Sequence, residues 1–581
     1  MMNFKGVRAH KFAESPVLQL RLPAWRSRLM GLLILSSFVV LVGRSFYLQV
    51  LNEDFLQEKG ESRYRRDLEI SASRGRISDR NGDVLAISTP MKSVWAMPAD
   101  ARLTPEQTTQ LAGLLEMDAR ELAGKLASEK SFVFLRRQLP PEIGDKIAAL
   151  KLPGIGQDKE YRRYYPSGEM TAHVVGFTGI DDKGLEGVEL AFQDQLRGHP
   201  GSRSVIKDRR GQIVEDVGSI RPPQDGKDIR LSIDSKLQYL AYSQLKQGVA
   251  DNKAKAGGVV VIDVKTGEIL ALANWPTYNP NNRGRLSGAQ LRNRAVTDTF
   301  EPGSTMKPFT IARALESDKV RFDTIINCAP GRLTIGRATI SDAHPHGALT
   351  VAQVLQKSSN VGTAKIAAML APQQMWEMFD SIGFGQVPRL GFPGEVPGRV
   401  RPWKSWKPIE QATMSYGHGI SVSLMQLARA YTVFAREGDV IPLSLARRDA
   451  APDGAKPVFS QQTAREVRAM LEMAVQPGGT APKAQIPGYR VAGKTGTAYK
   501  LEGGQYARKY VASFVGFAPV SDPRLVVAVM IDEPSAGSHY GGEVAGPIFS
   551  RTMGGALRTL GIQPDAPVEL AQKPAAPKGR L

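Results

Sequence analysis

Cysteine is almost missing from this chain: Cys328 is the only one among 581 residues. One thiol cannot close an intramolecular disulfide, and no cysteine-based metal site can be built. Its simplest role is that of a small buried apolar residue. Histidine is scarce too, with seven in all. His344 and His346 follow Asp342 without an evident further ligand, so a surface loop is the reading there and not a metal site. No zinc-finger, RNA-recognition or basic-zipper pattern accompanies the net charge of +19, which argues against a nucleic-acid partner. Long apolar runs are absent apart from one near the N-terminus. What remains is an ordinary globular composition with room for several domains and a large core.

The positive charge is unevenly spread. Residues 1–51 carry 7 Lys and Arg against 1 acidic residue, residues 52–220 carry 25 against 27, and residues 221–581 carry 44 against 29. A membrane surface or an anionic polymer suits that distribution. The apolar run Leu29 to Gly43, continued past Arg44 to Leu51, approaches the ~20 residues of a spanning helix. Lys5, Arg8, Lys11, Arg21, Arg26 and Arg28 precede it, so the positive-inside rule places 1–28 in the cytoplasm and everything after about residue 52 outside. A cleaved signal peptide would end at a small-x-small site. Here the run continues into Arg44-Ser45-Phe46-Tyr47, and an uncleaved single-pass anchor over 29–51 is expected.

Beyond the anchor, 52–70 reads as a polar stalk, and the apolar arms around Asn81-Gly82 read as a hairpin. Thr104-Pro105-Glu106-Gln107 is a capping box with Pro at the first helical position, and a second helix is expected near 141–150. Residues 161–220 read as loops and short strands. Pro222 to Gly226 marks a boundary. After it, Asp228 to Ile233 reads as a strand and 234–250 as a helix. Two apolar strands follow, around the turn Lys265-Thr266-Gly267. Helices are expected at 304–316, 350–371, 421–437 and 461–475, and strands at 511–518 and 525–531. Strands at both ends of a helical region suggest an α+β domain over 221–560 whose ends complete one sheet. The Pro/Ala-rich 561–581 reads as a disordered tail.

The chemistry centres on Phe300-Glu301-Pro302-Gly303-Ser304-Thr305-Met306-Lys307-Pro308. Residues three apart share a helix face, so Lys307 can reach the Ser304 hydroxyl if a helix begins here. Pro308 fits only a helix's first turn, which puts Ser304 at an N-terminus that favours developing negative charge. A Ser-x-x-Lys pattern alone is weak, since Ser204 to Lys207 repeats it in a strand-like stretch. Lys-Thr-Gly also occurs twice; Lys265-Thr266-Gly267 sits at a hairpin turn, whereas Lys494-Thr495-Gly496-Thr497 follows alternating sequence and reads as a strand ending at a functional edge. Ser358-Ser359-Asn360 is the sole Ser-x-Asn. Their order in the chain carries the information.

That ordered trio resembles the active-site serine penicillin-recognising enzymes, the superfamily of penicillin-binding proteins and serine β-lactamases. Arg292 to Asp298, leading into Phe300 to Ser304, resembles the septal class B penicillin-binding proteins, as do Arg74 to Gly82, Tyr164 to Gly168 and Gly184 to Glu189. The resemblance implies a membrane-anchored α+β chain. Residues 52–220 would be a non-catalytic pedestal for protein interactions, and 221–560 a transpeptidase domain with an antiparallel sheet and helices. It implies acyl transfer on peptidoglycan stems ending in D-Ala-D-Ala and covalent inhibition by β-lactams. Ser304 would be the nucleophile and Lys307 its base, if burial and neighbouring cations such as Lys494 lower the Lys307 pKa. Ser358 would relay a proton, and Asn360 would hold Lys307 and the substrate amide. Lys494, Thr495, Gly496 and Thr497 would bind the terminal carboxylate, with backbone N–H groups of Ser304 and Thr497 as the oxyanion hole. No cofactor or metal is implied. A polytopic glycan polymerase of the division machinery is the implied partner.

Four other readings are weaker. A β-lactamase would need a deacylating element that cannot be identified, and an anchor with a pedestal suits a hydrolase poorly. An elongation-specific class B relative would share the chemistry but not the residues before Ser304. A bifunctional glycan polymerase lacks its Glu-Asp-x-x-Phe-like donor motif. A non-catalytic division scaffold would not need the intact motif residues. His418, in Tyr416-Gly417-His418-Gly419, differs from the residue expected beside such a site and has no assigned role.

Overall fold

The structure, a computed structural model, describes residues 23–48, 65–207, 213–448 and 450–567. Most of the expected cytoplasmic tail, the anchor's last residues, most of the stalk and the end of the C-terminal tail lie outside these residues. Among the described residues one helix, α1 (Ala24–Phe46), is long and apolar enough to cross a membrane; no residue in it is buried. At ~1.5 Å per residue its 23 residues reach roughly 35 Å, more than a ~30 Å bilayer core. It starts directly after Pro23, so Trp25, Arg26 and Arg28 stand on its first turns instead of preceding it.

In the N-terminal domain β1 (Val84–Ala96) runs between β2 (Val133–Leu139) and β3 (Ile155–Tyr164), antiparallel to both. The capping box forms: Thr104 Oγ1 accepts from the Gln107 N–H, and Pro105 opens a helix to Leu114. Leu111, Leu115, Leu122 and Ile147 bury against Val94, Leu135 and Leu139 as a separate small core. The Asn81-Gly82 turn joins Ile77–Ser78 to β1, and it is also a clamp. The Asp79 carboxylate accepts from the Asn81 and Asp83 N–H groups and from Ser235 N–H in the next domain. Arg80 meets the buried Glu268 there at 3.2 Å. Three segments of this domain converge on one buried triad. Glu189 takes Arg74 Nε at 2.5 Å and Arg163 Nε at 2.7 Å, with every side chain at most 1% exposed.

The expected strand at 228–233 shrinks to Ile229–Arg230 and pairs in parallel with Ile77–Ser78. It completes the N-terminal sheet instead of opening the next domain. Ile77, Leu85, Val174 and Val188 also share one core with Ile229, Leu231 and Ile233 and with the catalytic-domain residues Val260 and Phe309.

The C-terminal domain has the α+β form expected. Helix α2 (Ser235–Asp251) precedes β4 (Ala256–Asp263) and β5 (Ile269–Trp275). Then come α3 (Lys307–Glu316), α4 (Asn360–Ala367) and α5 (Leu424–Ala435). The chain returns as β6 (Ala492–Glu502), β7 (Gln505–Ala518) and β8 (Leu525–Asp532), and closes with α6 (Gly546–Thr559). The sheet order is β5-β4-β8-β7-β6, antiparallel throughout. Successive strand residues point to opposite faces. Val259, Val261, Val527 and Val529 therefore bury against α2 and α6, while Val260, Ile262, Val526 and Ala528 bury against α5. Helices on both faces explain why these strands read as unbroken apolar runs.

Three expectations change. The helix over 350–371 is two, Val351–Gln356 and α4, broken at Ser358, whose φ is +58°. The Lys494 strand does not end at its motif; β6 runs on to Glu502 as an edge strand of the sheet. The chain after 561 is docked as far as it is described. Ile562 O accepts from the Tyr489 hydroxyl, and Asp565 accepts from the Arg490 and Ser521 N–H groups.

Candidate active site

Ser304 lies on a 3-10 turn, Gly303–Met306, that leads directly into α3. Pro308 occupies the first turn of α3, and the Lys307 N–H closes back onto Ser304 O. The turn is fixed from several sides. Gly303 has φ +57°, and its N–H donates to Gly417 O at 3.3 Å. A Cβ on Gly417 would sit 2.2 Å from Gly303 O, so the two segments touch only as glycines. Thr305 Oγ1 donates to Pro302 O, and the Tyr431 hydroxyl donates to Thr305 O at 2.8 Å. Ser304 itself is half-buried, and among the described residues its hydroxyl makes no hydrogen bond. The expected Ser304–Lys307 hydrogen bond is not formed, because Lys307 is held elsewhere.

Lys307 is fully buried. Its Nζ donates to Asn360 Oδ1 at 2.8 Å and to Ser358 O, and lies 3.0 Å from Ser358 Oγ. Burial pushes its pKa well below the usual lysine value, the charge of Lys494 pushes the same way, and Asp342 opposes both. All three contacts are donated by the Lys307 amine, to Asn360 Oδ1, Ser358 O and Ser358 Oγ. Burial and Lys494 thus shift Lys307 toward the neutral form.

Ser358 and Asn360 are placed by a residue the motifs did not reveal. Asp342 accepts from Ser359 Oγ at 2.7 Å and from Val361 N–H at 2.9 Å, while Asn360 Nδ2 donates to Ser341 O. Ser359 in turn caps α4 by accepting from Gly362 N–H. These bonds hold the left-handed Ser358 in a conformation that a non-glycine residue rarely adopts unaided.

Lys494 is also fully buried, and burial lowers its pKa to about 7. Its Nζ donates to Thr495 Oγ1 at 3.1 Å and to Thr480 Oγ1 at 3.5 Å; Thr480 is a second residue without a sequence signal. Gly496 is the close-approach point between β6 and the nucleophile turn. A Cβ there would lie 2.7 Å from Pro302 O and 2.3 Å from Ser513 Oγ. A Cβ on Gly303 would lie 3.4 Å from Thr497 N, which brings the turn carrying Ser304 against the Thr497 backbone. Thr497 Oγ1 accepts from Gly541 N–H at 3.0 Å.

His418 stands beside Tyr416 and Tyr506, with ring centroids 5.2 and 6.1 Å apart. Burial and the charge of Lys307 lower its pKa to about 4, so it stays neutral near pH 7. Glu301 ties the same segment together, accepting from Gly419 N–H and from the Tyr506 hydroxyl.

The two lysines make pH a direct probe. If Lys307 is the base, the second-order rate of acylation by a penicillin rises as Lys307 loses its proton, on a limb well below the usual lysine range, and loss of the Lys494 charge in the free protein through about 7 opposes it. The two limbs belong to the pair. In Lys494→Met a neighbouring positive charge is gone, the Lys307 pKa rises, and the acid limb moves to higher pH. An unmoved acid limb in a stopped-flow pH series would separate the two lysines.

A serine on a rigid turn, a buried lysine of depressed pKa and a second buried lysine beside two threonine hydroxyls bring together the groups that serine acyl transfer requires. The penicillin binding protein transpeptidase domain matches residues 257–554, and the penicillin-binding protein dimerisation domain matches 69–231. The chain belongs to this penicillin-binding protein transpeptidase family. It is 46% identical over 540 residues to the probable peptidoglycan D,D-transpeptidase PenA of Neisseria gonorrhoeae, covering 92% of each chain. It is 43% identical over 551 residues to the peptidoglycan D,D-transpeptidase FtsI of Escherichia coli, covering 94% of this chain and 93% of that one. The apo transpeptidase domain of Burkholderia pseudomallei penicillin-binding protein 3 superposes with a TM-score of 0.54 at 52% identity, over 58% of this chain and 98% of that one.

Proposed function

We propose that this protein is a peptidoglycan D,D-transpeptidase of the division septum. It is anchored by α1 with its N-terminus in the cytoplasm and its catalytic domain outside. The observation that carries the reading is Lys307: fully buried, shifted toward the neutral form, and held by both Ser358 and Asn360 one turn from Ser304.

In this reading Ser304 Oγ attacks the carbonyl carbon between the two terminal D-alanines of a stem peptide, and Lys307 Nζ takes the hydroxyl proton. The oxyanion is met by the backbone N–H groups of Ser304 and Thr497; one such donor is worth ~3 kcal/mol. Lys494, Thr495 and Thr497 hold the terminal carboxylate, and Asn360 orients the substrate amide. Ser358 passes a proton to the departing amine, so the C–N bond breaks and D-alanine leaves an ester on Ser304. The amine of a second stem attacks that ester, forms the crosslink and returns the proton to Ser304. β-Lactams mimic the first half of the cycle. Residues 52–220 serve as a pedestal for division-complex partners, among them a polytopic glycan polymerase.

Fluorescent penicillin tests the assignment on the full chain in membranes. Wild type forms a covalent label that persists for many minutes after free drug is removed. No label on folded protein would sink the proposal, and rapid loss of a label that had formed would favour a β-lactamase instead. Depletion that produces filaments supports septal work, and swollen cells would favour the elongation reading.

A further inference from the structure

Two consecutive residues at the base of a hairpin hold three consecutive residues of the site. The hairpin pairs Arg332–Ile335 with Ala338–Ser341, and the Asp342 N–H closes its base onto Gly331 O at 3.0 Å. Ser341 O accepts from Asn360 Nδ2, and the two Asp342 carboxylate oxygens accept from Ser359 Oγ and Val361 N–H. These bonds fall directly after the left-handed Ser358. Ser358 O and Asn360 Oδ1 in turn accept from Lys307 Nζ. Asp342 is therefore one residue removed from the groups that hold the amine.

A helix cap alone does not call for a carboxylate. Ser359 already caps α4 by accepting from Gly362 N–H, and a neutral side-chain oxygen could take the Val361 N–H as well. The charge needs another reason. Among the described residues the Asp342 carboxylate accepts only from Ser359 and Val361 and joins no ion pair. Its charge is thus left to act on the buried lysines. The titratable groups that act with Lys307 come from three elements: Lys494 on β6, Asp342 at the hairpin base, and His418, which is neutral near pH 7. Burial and Lys494 disfavour a proton on Lys307, and Asp342 is the carboxylate that favours it. The Cys328 thiol beside Ser359 is pushed up by burial and then by the same carboxylate, while Lys365 draws it down. Lys365 itself donates to Asn327 O.

We infer that Asp342 is a positioning residue for acyl transfer: it clamps Ser358 to Asn360 around Lys307, and its charge balances the proton that Lys307 takes from Ser304. This role rests on the transpeptidase reading above. Asp342 stays ionised and takes no proton. The proton leaves Ser304 Oγ as the bond from Oγ to the substrate carbon forms, and it resides on Lys307 Nζ. It passes through Ser358 to the departing amine as the C–N bond breaks. While it resides on Lys307, that amine is a second cation beside Lys494 in one buried site, and the carboxylate offsets their repulsion.

The test is the pH profile of acylation by fluorescent penicillin in the full chain, followed by stopped flow for wild type, Asp342→Asn and Asp342→Ala. Asparagine keeps both contacts, since Oδ1 can accept from Val361 N–H and Nδ2 can donate to Ser359 Oγ, so only the charge is lost. Lys307 then holds its proton less well, and the acid limb moves to lower pH, opposite to the direction expected for Lys494→Met. Asp342→Ala moves the limb the same way and slows acylation about tenfold further, because the clamp is lost too. Asp342→Asn carries the decision, so an Asp342→Ala that fails to fold leaves the test intact. A residue that merely capped α4 would slow both variants and leave the acid limb where wild type has it. That result would overturn the inference, as would a limb displaced to higher pH or missing from wild type and Asp342→Asn alike. Failure of the transpeptidase reading looks different, because wild type itself then takes no label.

Discussion

Ser304→Ala abolishes covalent labelling by penicillin and leaves the melting temperature near that of wild type. The hydroxyl is half-buried and unbonded among the described residues, so its removal orphans no partner and costs within about 0.5 kcal/mol. Lys307→Met is the sharper test, because the nucleophile stays and only the amine is lost. A positioned general base contributes roughly 10²- to 10⁴-fold, and the acylation rate should fall by that factor. Stability responds to two opposed changes. Removing a buried amine relieves its desolvation, while Asn360 Oδ1 and Ser358 O lose their donor; each effect is ~1–3 kcal/mol, and they largely offset. A rate that falls with no comparable fall in melting temperature identifies Lys307 as the base. Acylation by Lys307→Met within about threefold of wild type would leave the base role to another group.

The same residues show what the sequence could and could not convey. Local chemistry was readable: Pro308 marked the start of α3, Thr104 and Gln107 marked a cap, and unbroken apolar runs marked strands. The decoys resolve as well, since Ser204 and Lys207 lie in a strand and Lys265 to Gly267 form the β4–β5 turn. Where residues are fixed by distant partners, sequence pattern carries no trace. Lys357-Ser358-Ser359 has no glycine or asparagine to announce a left-handed residue. Ser358 adopts φ +58° because Asp342, far back in the chain, secures the residues that follow it. Thr480 and Tyr431 reach the site in the same way. Asn81-Gly82 was legible as a turn, but the bonds of Asp79 and Arg80 to the catalytic domain depend on a contact that no local pattern encodes.

Glu189→Gln tests the other end of the molecule and should cost more stability than any active-site change. Glu189 is fully buried and is the only carboxylate bonded to both Arg74 and Arg163 among the described residues. Glutamine keeps the shape and removes the charge, so two guanidinium groups remain in the interior without compensation. Breaking a buried pair in this way costs ~3–5 kcal/mol, because the surviving charge is left desolvated. At ~2–4 °C per kcal/mol for a domain of this size, the melting temperature falls by roughly 6–20 °C. Part of the loss is recovered locally. Burial raises the Asp182 pKa to about 6, the two arginines lower it and Glu189 raises it further. Without the Glu189 charge that pKa falls, so at and below about pH 6 a newly ionised Asp182 supplies some of the missing negative charge, whereas near pH 7 it is already ionised. The triple variant Arg74→Met, Arg163→Met, Glu189→Leu separates charge from packing. Removing all three charges together should restore much of the stability that Glu189→Gln loses, since an apolar replacement of a buried triad is often neutral or better. Calorimetric scans of the three proteins decide the matter: a Glu189→Gln loss below about 1 kcal/mol would place the triad no higher than an exposed ion pair.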